Sequence, residues 1–196
     1  IFLVEEGKVK VKVNEINKNG VFLSNKLFSL EAIKLDHLTP CIGYSFIEKD
    51  KRKINLDYVK NFGLTRHPLL GKLQEGKSIN YKGKKISVKK ATYIKKGKKI
   101  TFIIDTKYCN NAIKLAKNSD LLVCEATFLN SLKEKARDFK HLTTKEAALI
   151  AKKSSSEKLI LTHFSQRHQD SHEIEKEAKS IFKETIIAKD FLEIKV

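Results

Sequence analysis

The chain has 196 residues, a hydrophobic fraction of 41% and a formal net charge of +17. This length suits one well-buried domain and is short for two, and the ordinary hydrophobic fraction excludes a disordered chain. No apolar run approaches the roughly 20 residues of a membrane-spanning helix and no signal peptide opens the sequence, so we expect a soluble, cytoplasmic protein.

The positive charge favours polyanionic partners, because each phosphate that a protein neutralises releases a condensed counterion. Nearly all the basic residues are lysine, and Ile and Asn are also plentiful. An AT-rich genome could produce the same bias without selection for nucleic acid, so the charge alone leaves both interpretations open.

The cysteines indicate the cellular compartment of the chain, and the first residue indicates whether the chain is an unprocessed translation product. Cys41, Cys109 and Cys124 are an odd number without CxxC spacing, which argues against a disulfide framework and fits a reducing cytoplasm. The sequence begins at Ile1 and contains no methionine. We therefore expect a processed product or a fragment of a longer protein.

The first fifty residues predict extended structure. Short apolar or alternating runs, separated by turn residues, cover residues 1–5, 8–13, 21–23, 28–35 and 43–48. A polar corner at 36–40 separates the last two predicted strands.

The middle of the chain is rich in lysine. Residues 55–62 have short helical spacing and end at Gly63. From Gly76 to Ile104 there are ten lysines and no acidic residue, with two tyrosines interleaved. This composition indicates either a surface for a polyanion or a solvated basic loop.

The remaining sequence alternates between predicted strands and helices. The predicted strands are 100–104, 121–123, 159–161, 185–188 and 191–194. The predicted helices are 111–117, 143–153 and one that Ser171 caps, and Thr143-x-x-Glu146 is a capping box for the second. Such alternation is typical of an α/β layer fold.

Polar residues that suit metal chemistry stand at the ends of several predicted strands. They are His37, Asp105, Glu125 and His163, and His141 stands two residues before a helix N-cap. Loops after strand ends gather on one rim of an α/β fold, and His and Asp are ligands of zinc or manganese. Each residue alone could be a structural hydrogen-bonding group; together they indicate a metallohydrolase.

Four segments, 102–106, 112–128, 141–148 and 159–167, occur in the order and spacing of one enzyme family. They resemble ribonuclease Z, the metallo-β-lactamase-fold endonuclease that cuts the 3′ trailer from precursor tRNA. The resemblance extends from about Leu27 to Ile194. It implies an αββα sandwich that is N-terminally incomplete, with residues 1–196 forming the C-terminal part of a single domain.

The resemblance also implies roles for the five candidate residues. His37 corresponds to a ligand of one of two zinc ions, Asp105 to the aspartate that bridges both, and His163 to a ligand of the second. Mn²⁺ is an alternative metal. Glu125 and His141 correspond to the pair that assists proton transfer to the leaving oxygen. For Glu125 a purely supporting role remains the alternative.

A basic arm at about 50–99 corresponds to the family's tRNA-gripping insertion. Its candidate RNA-binding residues are Lys82, Lys84, Lys85, Lys89 and Lys90. Lysines contact phosphates without reading sequence, which suits an enzyme that accepts every tRNA. The family's use of paired subunits implies a homodimer, with precursor tRNA as the partner and no membrane.

The sequence departs from the family pattern in three places. Cys124 replaces the first histidine of the His-Glu-Ala-Thr motif, and His67-Pro68 stands where the arm usually has Gly-Pro. No His-x-His-x-Asp-His motif is present, and His168 and His172 have the wrong spacing to replace it.

The resemblance implies seven metal ligands, and the missing motif would supply four of them. With only His37, Asp105 and His163, the chain alone should bind metal poorly, cleave nothing and expose an apolar sheet face. Two rival interpretations are another phosphodiesterase of the metallo-β-lactamase fold and a catalytically inactive tRNA-binding fragment. The lysine arm separates the first of these from ribonuclease Z, since a small-molecule hydrolase has no use for it.

Overall fold

The computed structural model describes residues 13–166 and 171–196. The strands are β1 (Gly20–Ser24), β2 (Phe28–Lys34), β3 (Ile42–Glu48), β4 (Lys51–Ile54), β5 (Ile79–Tyr81), β6 (Lys84–Ile86), β7 (Thr92–Lys95), β8 (Lys99–Ile103), β9 (Leu121–Glu125), β10 (Lys158–Thr162) and β11 (Thr185–Ile187). The helices are α1 (Leu56–Lys60), α2 (Leu69–Gln74), α3 (Val88–Ala91), α4 (Asn110–Ala116), α5 (Lys133–Asp138), α6 (Thr144–Lys153) and α7 (Ser171–Lys179). The strand predicted at 1–5 and nearly all of that at 8–13 lie outside the described residues.

Seven strands form one mixed sheet in the order β1-β2-β3-β8-β9-β10-β11. The pairs from β1 to β8 are antiparallel, whereas β8, β9, β10 and β11 run parallel. The parallel strands are joined by helical crossovers, as parallel pairing requires. The predicted α/β class is therefore confirmed.

Helices α4, α6 and α7 cover one face of this sheet. Leu122 and Cys124 from β9 and Leu159 and Leu161 from β10 alternate inwards and are fully buried against them. Helix α6 begins with the predicted capping box, in which the Thr143 hydroxyl accepts from the Glu146 N–H while the Glu146 carboxylate accepts from the Thr143 N–H.

The opposite face of the sheet is apolar and uncovered in the described part of the chain. Tyr44, Phe46 and Phe102 lie on adjacent strands of this face and are 43%, 36% and 45% exposed. Neighbouring aromatic rings of this size at the surface of a sheet indicate a face that another layer normally covers. Within the described residues, the seven-stranded sheet thus has a helical layer on one face, and the expected exposed face is present.

Residues 50–99 form a small folded arm between β3 and β8. Strands β4 and β7 pair as a ribbon at its base, and β5 and β6 form a hairpin. The arm has an apolar core of its own, made of Val59, Leu64, Leu73, Ile79, Ile86 and Ala91. At the base, a side chain at Gly97 would overlap the Glu48 carbonyl, so only glycine fits there. A solvated loop is therefore the wrong description of this segment.

The strand predicted at 191–194 is wrong. Phe191 is fully exposed and has a left-handed backbone with φ of 63°, and the Leu192 N–H donates to the Lys189 carbonyl in a turn. Among residues 13–166 and 171–196, no strand pairs with the apolar residues there. In the described residues, no helix is long and apolar enough to cross a lipid bilayer.

Candidate metal centre and active site

Three predicted site residues meet because their strands are parallel neighbours. Asp105 follows β8, Glu125 ends β9 and His163 follows β10, so all three lie at one edge of the sheet. Asp105 and His163 both adopt left-handed backbones, with φ of 55° and 57°. Such conformations are costly for non-glycine residues and cluster at functional sites.

The other two candidates reach the same edge from loops. His37 lies between β2 and β3, and His141 lies between α5 and α6. The His141 ring centroid is 4.9 Å from that of His37 and 5.3 Å from that of His163, and His163 Nε2 is 3.4 Å from Asp105 Oδ1. The structure therefore brings all five predicted residues together.

A buried carboxylate links the residues of this site. Glu125 is 0% exposed, and its two oxygens accept hydrogen bonds from the Thr106 N–H (2.6 Å), the Thr127 hydroxyl (2.6 Å), the Leu142 N–H (3.2 Å) and His141 Nδ1 (3.0 Å). Because a fully buried group cannot touch a substrate, Glu125 can act only by orienting its neighbours.

The three histidines are each held at Nδ1. His141 Nδ1 donates to Glu125, and His37 Nδ1 donates to the Lys140 carbonyl at 3.0 Å. His163 Nδ1 lies 3.0 Å from the Thr127 hydroxyl oxygen, whose own hydrogen is directed at Glu125. In every case Nε2 remains available, which is the arrangement that supporting groups give to metal-bound imidazoles.

Sequence reasoning missed the residues that support these side chains. Thr106 and Thr127 follow Asp105 and Glu125 closely, and a hydroxyl residue just after a strand end was the signal that could have found them. The role of Lys140 could not be predicted from the sequence, because it depends on a left-handed backbone with φ of 52°.

Lys140 also links the loop that contains His37 to the loop that contains His141. Its ammonium lies 3.1 Å from Asp36 Oδ1, and Lys107 lies 2.9 Å from Asp36 Oδ2. Hydrogen bonds from Lys107 and then Lys140 lower the pKa of the Asp36 carboxyl below its ordinary value. The ion pairs of Asp36 with Lys107 and Lys140 thus hold the loop that contains His37 beside His141.

The Glu125→Gln substitution should lower the free energy of unfolding by about 2–4 kcal/mol, since the amide group would face N–H and O–H donors that lose their acceptor. Urea denaturation measures this change. The matched control is Glu146→Gln, because a glutamine at that position of the capping box still accepts from the Thr143 N–H. Equal stability of the two variants would contradict the role assigned to Glu125.

The remaining predicted residues have separate positions. Lys82, Lys84, Lys85, Lys89 and Lys90 are exposed on the arm, in its hairpin and in α3. Cys124 is fully buried, and burial raises the pKa of its thiol well above the ordinary value. All three cysteines are free. His172 is exposed, and His168 lies outside the described residues.

Two curated proteins with similar sequences are named ribonuclease Z. The chain is 39% identical over 184 residues to the ribonuclease Z of Protochlamydia amoebophila, covering 94% of this chain and 60% of that protein. It is 35% identical over 190 residues to the ribonuclease Z of Archaeoglobus fulgidus, covering 95% and 62% respectively. The resemblance indicated by the motifs is confirmed, and the chain spans about three fifths of the length of these relatives.

Solved structures show the same fold. The metallo-β-lactamase fold protein YhfI from Bacillus subtilis matches with a TM-score of 0.54 at 20% identity, over 85% of this chain and 49% of that one. The short form of human tRNase Z matches with a TM-score of 0.52 at 24% identity, over 88% and 44%. At these identities the likeness concerns the fold alone.

The family model described as a β-lactamase superfamily domain matches residues 62–164, which is more than half of the chain. This range contains Asp105, Glu125, His141 and His163, four of the five residues that meet at the sheet edge. With the fold and the sequence similarity in agreement, the chain belongs to the β-lactamase superfamily.

Proposed function

We propose that the protein is a metal-dependent endoribonuclease that removes the 3′ trailer from precursor tRNA. One observation carries the proposal: Asp105, His37, His141 and His163 converge around the buried Glu125 in a chain that is 34–39% identical to proteins named ribonuclease Z. The support comes from the combination, because the fold alone serves several hydrolases.

In the proposed active site, His37, Asp105 and His163 would hold the zinc. Their donor chemistry fits, since imidazole nitrogen and carboxylate oxygen are zinc ligands and each imidazole is already supported at Nδ1. Bound zinc would supply hydroxide at neutral pH and polarise a phosphate oxygen.

His141 is assigned the role of protonating the leaving group. Its side chain is 17% exposed, and Nδ1 is fixed by Glu125, so Nε2 is presented to the open side of the site. A protonated His141 donates from Nε2 to the departing 3′ oxygen of the RNA. Glu125 keeps the ring in the orientation that this proton transfer needs.

The arm is assigned the binding of tRNA. It holds sixteen of the forty Lys and Arg residues of the chain but three of its twenty-three acidic residues. In the described part of the chain, the five lysines of the hairpin and α3 form no ion pair. A basic surface built on its own core is suited to phosphate contacts. We extend the proposal to a homodimer in the cytoplasm.

Comparing two substrates tests this function. The protein expressed from its complete gene should cleave a precursor tRNA with a far higher kcat/KM than bis(p-nitrophenyl) phosphate, and EDTA should stop both reactions. Hydrolysis of the small diester without cleavage of the tRNA would identify another phosphodiesterase of the superfamily. Tight tRNA binding without either reaction would identify a binding protein.

A further inference from the structure

The arm contains a small cavity with aromatic walls. Among the described residues, the cavity is lined by Asn61, Phe62, Tyr81, Lys82 and Lys84, and its volume is about 140 Å³. We propose that it binds one unpaired nucleobase of the precursor tRNA, which stacks on Tyr81 while Lys82 and Lys84 contact the adjoining phosphate. This role rests on the proposed function and adds a base contact to the phosphate contacts assigned above.

The β5–β6 hairpin brings three of these side chains together. Lys82 and Gly83 form its two-residue turn, and both have left-handed backbones, with φ of 50° and 73°. Tyr81 and Lys84, which flank the turn, are directly opposed partners in the two strands. Side chains of opposed residues lie on the same face of a hairpin, so Tyr81 and Lys84 line the cavity from the same side.

The aromatic walls are held in place by the rest of the arm. Tyr81 and Phe62 both pack against the apolar core of the arm. The His67 ring meets Tyr81 edge-on, with centroids 5.1 Å apart and planes at 70°, and the Tyr58 ring lies 5.3 Å from that of Phe62. His67 is held in turn, because its Nδ1 accepts from the Leu69 N–H at 3.2 Å. Rings that are ordered in advance lose little entropy when a base stacks on them.

The charged and polar groups around the rings match a nucleotide. The Lys82 ammonium lies 5.4 Å from the centroid of the Tyr81 ring. Lys82 and Lys84 are exposed and form no ion pair in the described part of the chain, so both can neutralise a phosphate. The exposed Asn61 amide offers a donor and an acceptor to the edge of a base. This combination favours a base with a phosphate attached over a cation or a purely apolar ligand.

The size and position of the cavity favour a base within RNA over a free mononucleotide. At about 140 Å³ the cavity is smaller than the roughly 300–1,000 Å³ of sites that enclose a whole small molecule, so it suits one group of a larger ligand. Helix α3, which carries Lys89 and Lys90, is tied to the start of the hairpin, because the Val88 N–H donates to the Ser78 hydroxyl at 3.1 Å. An RNA strand whose base occupies the cavity would have further lysines beside it for its other phosphates.

The Tyr81→Leu variant of the complete protein should bind precursor tRNA about tenfold more weakly, because leucine keeps an apolar contact with the arm core but removes the stacking face. Tyr81→Phe should bind as the parent protein does. The control is Tyr93→Leu, since Tyr93 is 56% exposed on β7 and lies outside the cavity lining. Filter binding measures the three affinities, and equal affinities for Tyr81→Leu and Tyr93→Leu would overturn the proposal.

The salt dependence of binding separates lost stacking from a disrupted arm. Stacking neutralises no charge, so Tyr81→Leu should keep the parental slope of log affinity against log salt. A disrupted arm would also displace its lysines and make that slope shallower. A shallower slope would therefore mean that phosphate contacts were lost, which contradicts a stacking role for Tyr81.

Photocrosslinking tests the same contact in the unsubstituted protein, where the folding of a variant plays no part. With 5-iodouracil placed at each unpaired position of the precursor tRNA in turn, one position should crosslink to the peptide that contains Tyr81, and an excess of uridine monophosphate should not prevent it. Absence of this crosslink at every position would refute the base contact, and competition by the mononucleotide would identify a site for free nucleotides instead. Crosslinking without cleavage would support the base contact while the proposed endonuclease activity fails.

Discussion

The Asp105→Asn variant of the complete protein should lose nearly all bound metal and about three orders of magnitude in the rate of precursor tRNA cleavage. Asp105 is the carboxylate beside the proposed histidine ligands, 3.4 Å from His163 Nε2 and in one donor group with His37. Asparagine keeps the shape of the side chain and tolerates the left-handed backbone at this position. The amide of asparagine lacks the negative charge that binds cations.

Atomic emission for zinc, measured beside the cleavage rate, checks this expectation. Asp105→Ala should behave similarly, while His37→Ala and His163→Ala should lose metal less completely because each removes one ligand of one ion. Asp138→Asn is the matched control, since Asp138 is exposed on α5. Parental metal content in Asp105→Asn would rule out the bridging role.

Replacing the five arm lysines, Lys82, Lys84, Lys85, Lys89 and Lys90, with glutamine should weaken tRNA binding without affecting the chemistry. Because each lost phosphate contact removes roughly 0.7–0.9 from the dependence of log affinity on log salt, the slope should become shallower by up to about four. The KM for precursor tRNA should rise at least about tenfold, and the rate with bis(p-nitrophenyl) phosphate should stay unchanged.

Substitution is a cleaner test than deletion of the arm. The five lysines are exposed, whereas removing residues 77–99 would cut out Ile79, Ile86 and Ala91 of the arm core and the first residue of β8. Five exposed lysines outside the arm provide the control for net charge: Lys117, Lys152, Lys183, Lys189 and Lys195. An equal change of slope in both variants would show that the overall charge, and not the arm, binds tRNA.

The site could be located from the sequence because it depends on strand ends. Asp105, Glu125 and His163 each follow or end a short apolar run, and parallel neighbours place those ends side by side. Their supporting contacts could not be found in the same way. The Lys140 carbonyl reaches His37 across 103 positions of sequence, which no local pattern reveals.

The arm shows a different limit of sequence reasoning. Two of its buried residues, Ile79 and Ile86, are single apolar positions in the lysine-rich stretch, so the charge concealed a core built from distant contacts. The prediction at 191–194 failed for the opposite reason, since its apolar residues predict a strand for which the described part of the chain offers no partner. In both cases tertiary contacts, and not local preference, decided the structure.

Mapping the cut in an end-labelled precursor tRNA tests the central claim most directly. The protein from its complete gene should make a single cut between the acceptor stem and the 3′ trailer, EDTA should abolish it and added Zn²⁺ should restore it. The variant with the five arm lysines replaced should cut the same RNA more slowly, because its arm makes fewer phosphate contacts. Cuts scattered along the RNA, or a cut that persists in EDTA, would contradict the account.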